Sequence, residues 1–140
     1  MRTILFRGKD KERGSWLYGH YGKNTNGSWP LKDMIYPSQD AEAGWLHYEE
    51  IDGETLSQYT GLDDKNGKPI FEGDIIRMDA FTPPNCEVMF IEGAFCLVFP
   101  EPGPAWPVDI HYVQHADNHQ ATVIGNIHDN PELLEVKTDA

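Results

Sequence analysis

Two apolar runs, Cys86–Ile91 and Ala94–Phe99, are separated by nothing but Glu92-Gly93. A two-residue connection of this kind folds the chain back as an antiparallel hairpin. It pairs Ile91 with Ala94, Phe90 with Phe95, Val88 with Leu97 and Cys86 with Phe99. One face then carries Cys86, Val88, Phe90, Phe95, Leu97 and Phe99, apolar throughout. The other carries Glu87, Met89, Ile91, Ala94, Cys96 and Val98. A slip by one residue would mix the faces, so the pattern fixes its own register. The same register sets Cys86 and Cys96 on opposite faces and three positions apart, too far for a disulfide. Both are expected to be buried small hydrophobes in a reducing compartment.

The remaining chain reads in the same period-two idiom. Ten prolines and thirteen glycines are spread over 140 residues, which favours short strands and turns over long helices. Residues 2–7 alternate as a strand, Gly8–Gly14 reads as a charged turn, and residues 16–21 as the returning strand. Residues 22–30 form a loop, and Met34-Ile35-Tyr36 a brief strand stopped by Pro37. Residues 38–53 show no clean face. Leu56–Thr60 is strand-like, and Asp63–Lys68 is a turn with Asn66-Gly67 at its tip, a pair that tolerates positive φ. Gly73-Asp74 opens a strand over Ile75–Met78. Phe81–Asn85 and Pro100–Pro107 are loops. Ala121–Ile127 is a closing strand in which Gly125 marks a bulge or a close approach. Asn130-Pro131 starts a helical turn, with Asn as cap and Pro at the first position. No signal peptide is expected from the start MRTILFRGKD, and no run approaches the ~20 apolar residues of a membrane span.

Charge is unevenly placed along the chain. Residues 1–32 hold seven Lys/Arg against Asp10 and Glu12, net +5, while residues 33–140 hold four against 21 acids, net −17. The acidic excess disfavours nucleic acid, whose binding is driven largely by Lys/Arg displacing counterions. The asymmetry suggests self-association, a basic N-terminal face meeting an acidic one. The cluster Arg2, Arg7, Lys9, Lys11 and Arg13 is otherwise a solvated strand end and turn.

Candidate chemistry is sparse. His111, His115 and His119 recur every four residues, which on a helix would align three imidazoles. Their span of ~12 Å is too long for one ion at ~2.1 Å from each. Only an adjacent pair could chelate, helped by Asp109 or Asp117. The segment DDKNG resembles the middle of a calcium loop, but in that register Leu62 and Gly73 fall where carboxylates are required. There is no G-x-S-x-G elbow and no phosphate-binding glycine loop. No catalytic residue, metal site or cofactor is assigned.

The run Gln58–Ile76, QYTGLDDKNGKPIFEGDII, resembles the signature of the YopX-like proteins of phages and prophages. Val123–Leu134, VIGNIHDNPELL, is similar to that family's C-terminal signature. Leu5–Lys11 followed by Trp16 is similar to its opening. The resemblance implies a mainly β fold with little helix, in which a small SH3-like, partly open barrel is packed with an N-terminal β subdomain. On that basis we expect an N-terminal β subdomain with irregular loops over 1–54, the barrel over 55–136 and a frayed tail over 137–140. The resemblance also implies a phage or prophage origin, a cytoplasmic location and self-association, and it carries no catalytic residues. The expected function is a non-enzymatic interaction module whose partners are copies of itself or a host or phage protein. The alternative is a nucleic-acid-associated accessory protein, or an acidic DNA mimic acting on a host DNA-binding protein.

Overall fold

The computed structural model describes residues 3–24, 29–37, 48–114 and 121–136. They form a mainly β structure of two antiparallel sheets. The strands are β1 (Phe6–Asp10), β2 (Trp16–Asn24), β3 (Lys32–Pro37), β4 (Glu49–Asp63), β5 (Pro69–Phe71), β6 (Asp74–Arg77), β7 (Asn85–Ile91), β8 (Ala94–Val98), β9 (Val108–Asp109) and β10 (Thr122–Asn126). Among the described residues helix is confined to 3₁₀ turns at Ile110–Gln114 and Pro131–Leu134. Among the described residues no helix is long and apolar enough to cross a membrane. The chain divides into two compact units, residues 1–59 and 60–140, with the boundary inside β4.

The first sheet runs β1-β2-β3-β4-β5, and an added β1–β4 pairing makes it partly ring-like. Met34, Ile35 and Ile51 are buried in this unit. Strand β1 begins four residues later than the alternation in residues 2–7 predicted, and it runs through Gly8. The reason is packing: a Cβ at Gly8 would lie 2.4 Å from Ile51 Cδ1, so the glycine serves the strand by admitting Ile51. The turn is correspondingly shorter. Buried Asp10 holds it by accepting the backbone N–H groups of Glu12 and Arg13 at 2.8 and 3.3 Å. Of the faceless stretch 38–53, residues 38–47 lie outside the described residues, and the rest enters β4 just ahead of an irregularity. Arg7 pairs with Ser57 but Lys9 pairs with Asp52, so several residues of β4 bulge out between them. Thr55 Oγ1 fills the gap, accepting the Lys9 N–H at 2.8 Å.

The second sheet runs β10-β6-β7-β8-β9. It is a meander from β6 to β9 whose last strand, β10, returns to pair with the first. Its core comprises Ile70, Ile76, Met78, Cys86, Val88, Leu97, Phe99, Val108, Ile110, Val113 and Ala121. Each large aliphatic among them contributes about 1.5–3 kcal/mol through burial. The β7–β8 register is the one the sequence dictates, from Ile91↔Ala94 to Val88↔Leu97. Glu92 (φ 51) and Gly93 (φ 84) are the positive-φ pair of a type I′ connection. The buried stripe stops short of the tip, where Phe90 is 52% exposed and stacks edge-on with Phe95.

Gly125 shows both expected behaviours. The β6–β10 register shifts between Val123 and Gly125, and a Cβ there would lie 2.5 Å from Asn130 Oδ1 and 2.9 Å from Leu133 Cδ1. The Pro131–Leu134 turn forms as predicted, with Pro at its start, but Asn130 does not cap it through its side chain. That side chain reaches back to accept the Asn126 N–H at 3.3 Å.

Candidate functional site

The acidic turn in the first signature block spends its carboxylates on its own backbone. Asp64 is buried; its Oδ1 accepts from the N–H groups of Asn66 (2.8 Å) and Lys68 (2.9 Å), and its Oδ2 from that of Val123 (2.9 Å). Burial by itself would raise the Asp64 pKa, but the N–H groups of Val123, Lys68 and Asn66 and the charge of Lys68 outweigh it and hold the pKa low. Gly67 carries the positive φ of the turn (81°) and donates to the Asp64 carbonyl at 3.0 Å. Among the described residues Glu92 is the only non-glycine with positive φ. Asn66 therefore does not share it, and the connection is a type I turn closed by a left-handed glycine, not a type I′ pair. Asp74 is also buried and accepts the Phe71 N–H at 2.8 Å. These acids fold the chain.

Of the spaced histidines, His111 is exposed on the 3₁₀ turn, its Nδ1 2.7 Å from Asp109 Oδ1. His115 and His119 lie outside the described residues. Among the described residues no group of three or more His, Cys, Asp or Glu is placed to hold a metal ion. The cysteines are free thiols in different settings. Cys86 is fully buried and its pKa is pushed up to about 12 by burial, while Cys96 is half-buried. Full burial was thus expected of both and holds for one. The Cys96 side of its strand faces partly outward, as its pairing with Asp109 on the two-residue β9 shows.

The N-terminal basic cluster is largely answered within its own unit. Lys11 Nζ lies 2.9 Å from Glu50 Oε2, and Arg13 Nε lies 3.3 Å from Asp10 Oδ2. Buried Arg7 lies 4.5 Å over the Trp16 ring, with Lys9 at 5.4 Å from it. Arg2 lies outside the described residues. Each of the described members of the cluster thus has an acidic or aromatic neighbour in the same unit.

Among the described residues, two features could receive a partner. The first is a concave, mostly apolar groove of about 160 Å³ in the second unit, lined by Pro83, Pro84, Asn85, Pro100, Leu134 and Val136 among others. It exists because Asn85 Nδ2 donates to the Leu133 carbonyl at 2.9 Å, which seats the 3₁₀ turn beside the start of β7. Sequence reading placed its walls in two loops and a helical turn but had no signal that they converge. The second feature is a set of large apolar side chains held out to solvent: Trp29 (78% exposed), Trp106 (71%), Leu31 and Phe90.

Residues 5–135 match the family described as YopX protein. The crystal structure of protein EF1440 from Enterococcus faecalis is similar, with a TM-score of 0.57 and 28% identity. The match covers 96% of this chain and 100% of that one. No curated protein matches. The family match spans both signature blocks, the Asp64 turn with its Val123 contact and both sheets. The chain belongs to the YopX protein family.

Proposed function

We propose that this protein is a non-enzymatic, self-associating interaction module, an accessory protein of a phage or prophage acting in the bacterial cytoplasm. The observation that carries the reading is the exposure of Trp29 beside Leu31. Tryptophan is among the residues most enriched at the energetic centres of protein interfaces. Sheet edges offer fewer opportunities. The first sheet is partly closed by β1–β4. In the second, the edge N–H of Val123 is taken by Asp64 and the far edge strand β9 has two residues. Short or occupied edges discourage strand-to-strand association, so contact falls to side-chain patches.

The acidic excess and the internal pairing of the basic cluster favour a protein partner over nucleic acid. Light scattering on the full chain over a range of concentration, at low and high salt, tests the reading. The mass is expected to rise with concentration and to fall back as salt screens the charges. A single-chain mass under every condition would count against it.

A further inference from the structure

We propose that the Pro83–Val136 groove receives Trp29 of a second copy of this chain, with Leu31 packing at its mouth. The inference rests on the self-association proposed above and names the surfaces that perform it. Size comes first. A cavity of about 150 Å³ accommodates benzene, and this groove is of the same order at about 160 Å³. It is open on one side, so the six-membered ring of an indole can sink into it while the pyrrole edge stays at the mouth. Its lining is chemically matched, since proline rings, Leu134 and Val136 offer apolar walls to a flat ring.

Charge supplies the second argument. Trp29 and Leu31 lead directly into β3, where Lys32 pairs with Asn24 and, one step along, Asp33 with Lys23. Lys32 therefore adjoins the exposed pair at one end of the β2–β3 ladder, while Lys23 is answered by Asp33, whose Oδ1 lies 3.8 Å from its Nζ, so the local balance is one net positive charge. The groove's own segment, residues 121–136, carries Asp129, Glu132 and Glu135 and no Lys or Arg. All three acids are exposed, as is Glu101 beside Pro100. A basic-flanked apolar knob thus faces an acid-rimmed apolar socket, the arrangement that sets orientation in protein docking. Knob and socket belong to different surfaces, so the contact is heterologous and generates a ring or an open filament.

The test uses three full-length proteins: wild type, Trp29→Ala, which removes the knob, and Val136→Arg, which fills the socket and sets a positive charge inside its acidic rim. Val136 is 37% exposed, and Glu135→Lys, at an exposed position, takes its place should Val136→Arg lose the wild-type circular dichroism. Each variant is expected to weaken self-association by about 30-fold or more, the scale of an interface hot spot. An equimolar mixture of the two is expected to give a two-chain species and stop there, because only one knob and one socket remain. Wild type that stays at single-chain mass overturns the self-association itself. Wild type that associates while Trp29→Ala associates equally well overturns only this pairing, as does a mixture that forms no two-chain species.

Discussion

The Asp64 carboxylate accepts the backbone N–H of Val123 at 2.9 Å across 59 residues of chain. Around it, the Lys65 N–H donates to the Ala121 carbonyl at 3.0 Å, and the Ile127 N–H to the Gly73 carbonyl at 2.9 Å. The two blocks by which the family is recognised are therefore one hydrogen-bonded structure. The turn in the first block clamps the last strand of the second sheet, and one buried acid organises both. Asp10 plays a related local role in the first unit: buried, followed by a positive-φ glycine at Gly14 (φ 71), it accepts two turn N–H groups.

Replacing Asp64 should therefore act at long range. Asp64→Ala leaves three N–H groups without their acceptor, two of which water can reach in the turn. A loss of about 2–4 kcal/mol is expected, combining charged hydrogen bonds with the desolvated Val123 donor. Asp64→Asn, which keeps an oxygen acceptor, should lose less. The folded pKa lies below the ordinary aspartate value of 3.8, so the stabilisation is present above that value and lost as pH falls through the folded pKa. Urea midpoints of wild type and Asp64→Ala should converge as the pH is lowered into that range. A gap that stays constant there would show that the ionised carboxylate is not the source.

The two thiols should behave differently. At pH 8, Cys86 is shielded and held protonated by burial, with its pKa near 12, while Cys96 is half-buried. Reaction follows the accessible thiolate. Native protein should label one equivalent quickly and the second only at the rate of unfolding, with Cys96→Ser abolishing the fast phase. Oxidation should not join the two, since they lie on opposite faces and out of register. Two fast equivalents, or an internal crosslink, would contradict the register.

Gly125→Ala tests the close approach inside the second block. The added methyl meets Asn130 Oδ1 and Leu133 Cδ1 well inside contact distance, and both belong to the segment that forms one wall of the groove. Overpacking of this kind costs about 1–3 kcal/mol. A lowered urea midpoint is expected. Stability equal to wild type would mean that the Asn130 side chain moves freely aside.

What the sequence made legible was whatever a single strand pair decides alone. The β7–β8 register followed from alternation and a two-residue turn, and the bulge or contact at Gly125 followed from a glycine in a β-branched strand. Two things were hidden. Strand β1 was misplaced because Gly8, locally a turn residue, is needed for space by Ile51 on another strand. The groove was invisible because Pro83, Pro100 and Leu134 come from three separated segments, and no periodicity encodes their meeting. The Asp64 turn stands between these cases. Its glycine and acids announced a turn, but the Val123 contact that gives Asp64 its importance is a tertiary fact.

The β7–β8 turn holds one residue against its own preference, and relieving it should stabilise the protein. Glu92 sits at φ 51, a region costly for a side chain with a Cβ and no local hydrogen bond to offset it. Asparagine is favoured at this position before glycine in type I′ turns, and glycine adopts it without steric cost. Glu92 is exposed, so its replacement leaves no cavity. Glu92→Asn is therefore expected to raise stability by up to about 1 kcal/mol, part of the left-handed cost that asparagine escapes. Glu92→Gly should gain less, because glycine also adds freedom to the unfolded chain. Glu92→Val should lose stability, since a β-branched side chain is a poor fit to positive φ. The three urea midpoints should then rank Asn above Gly and Gly above Val, with wild type between Gly and Val. An order in which Val equals or exceeds Asn would mean that the hairpin closes through another turn, and with it that the register of the second sheet has a different origin.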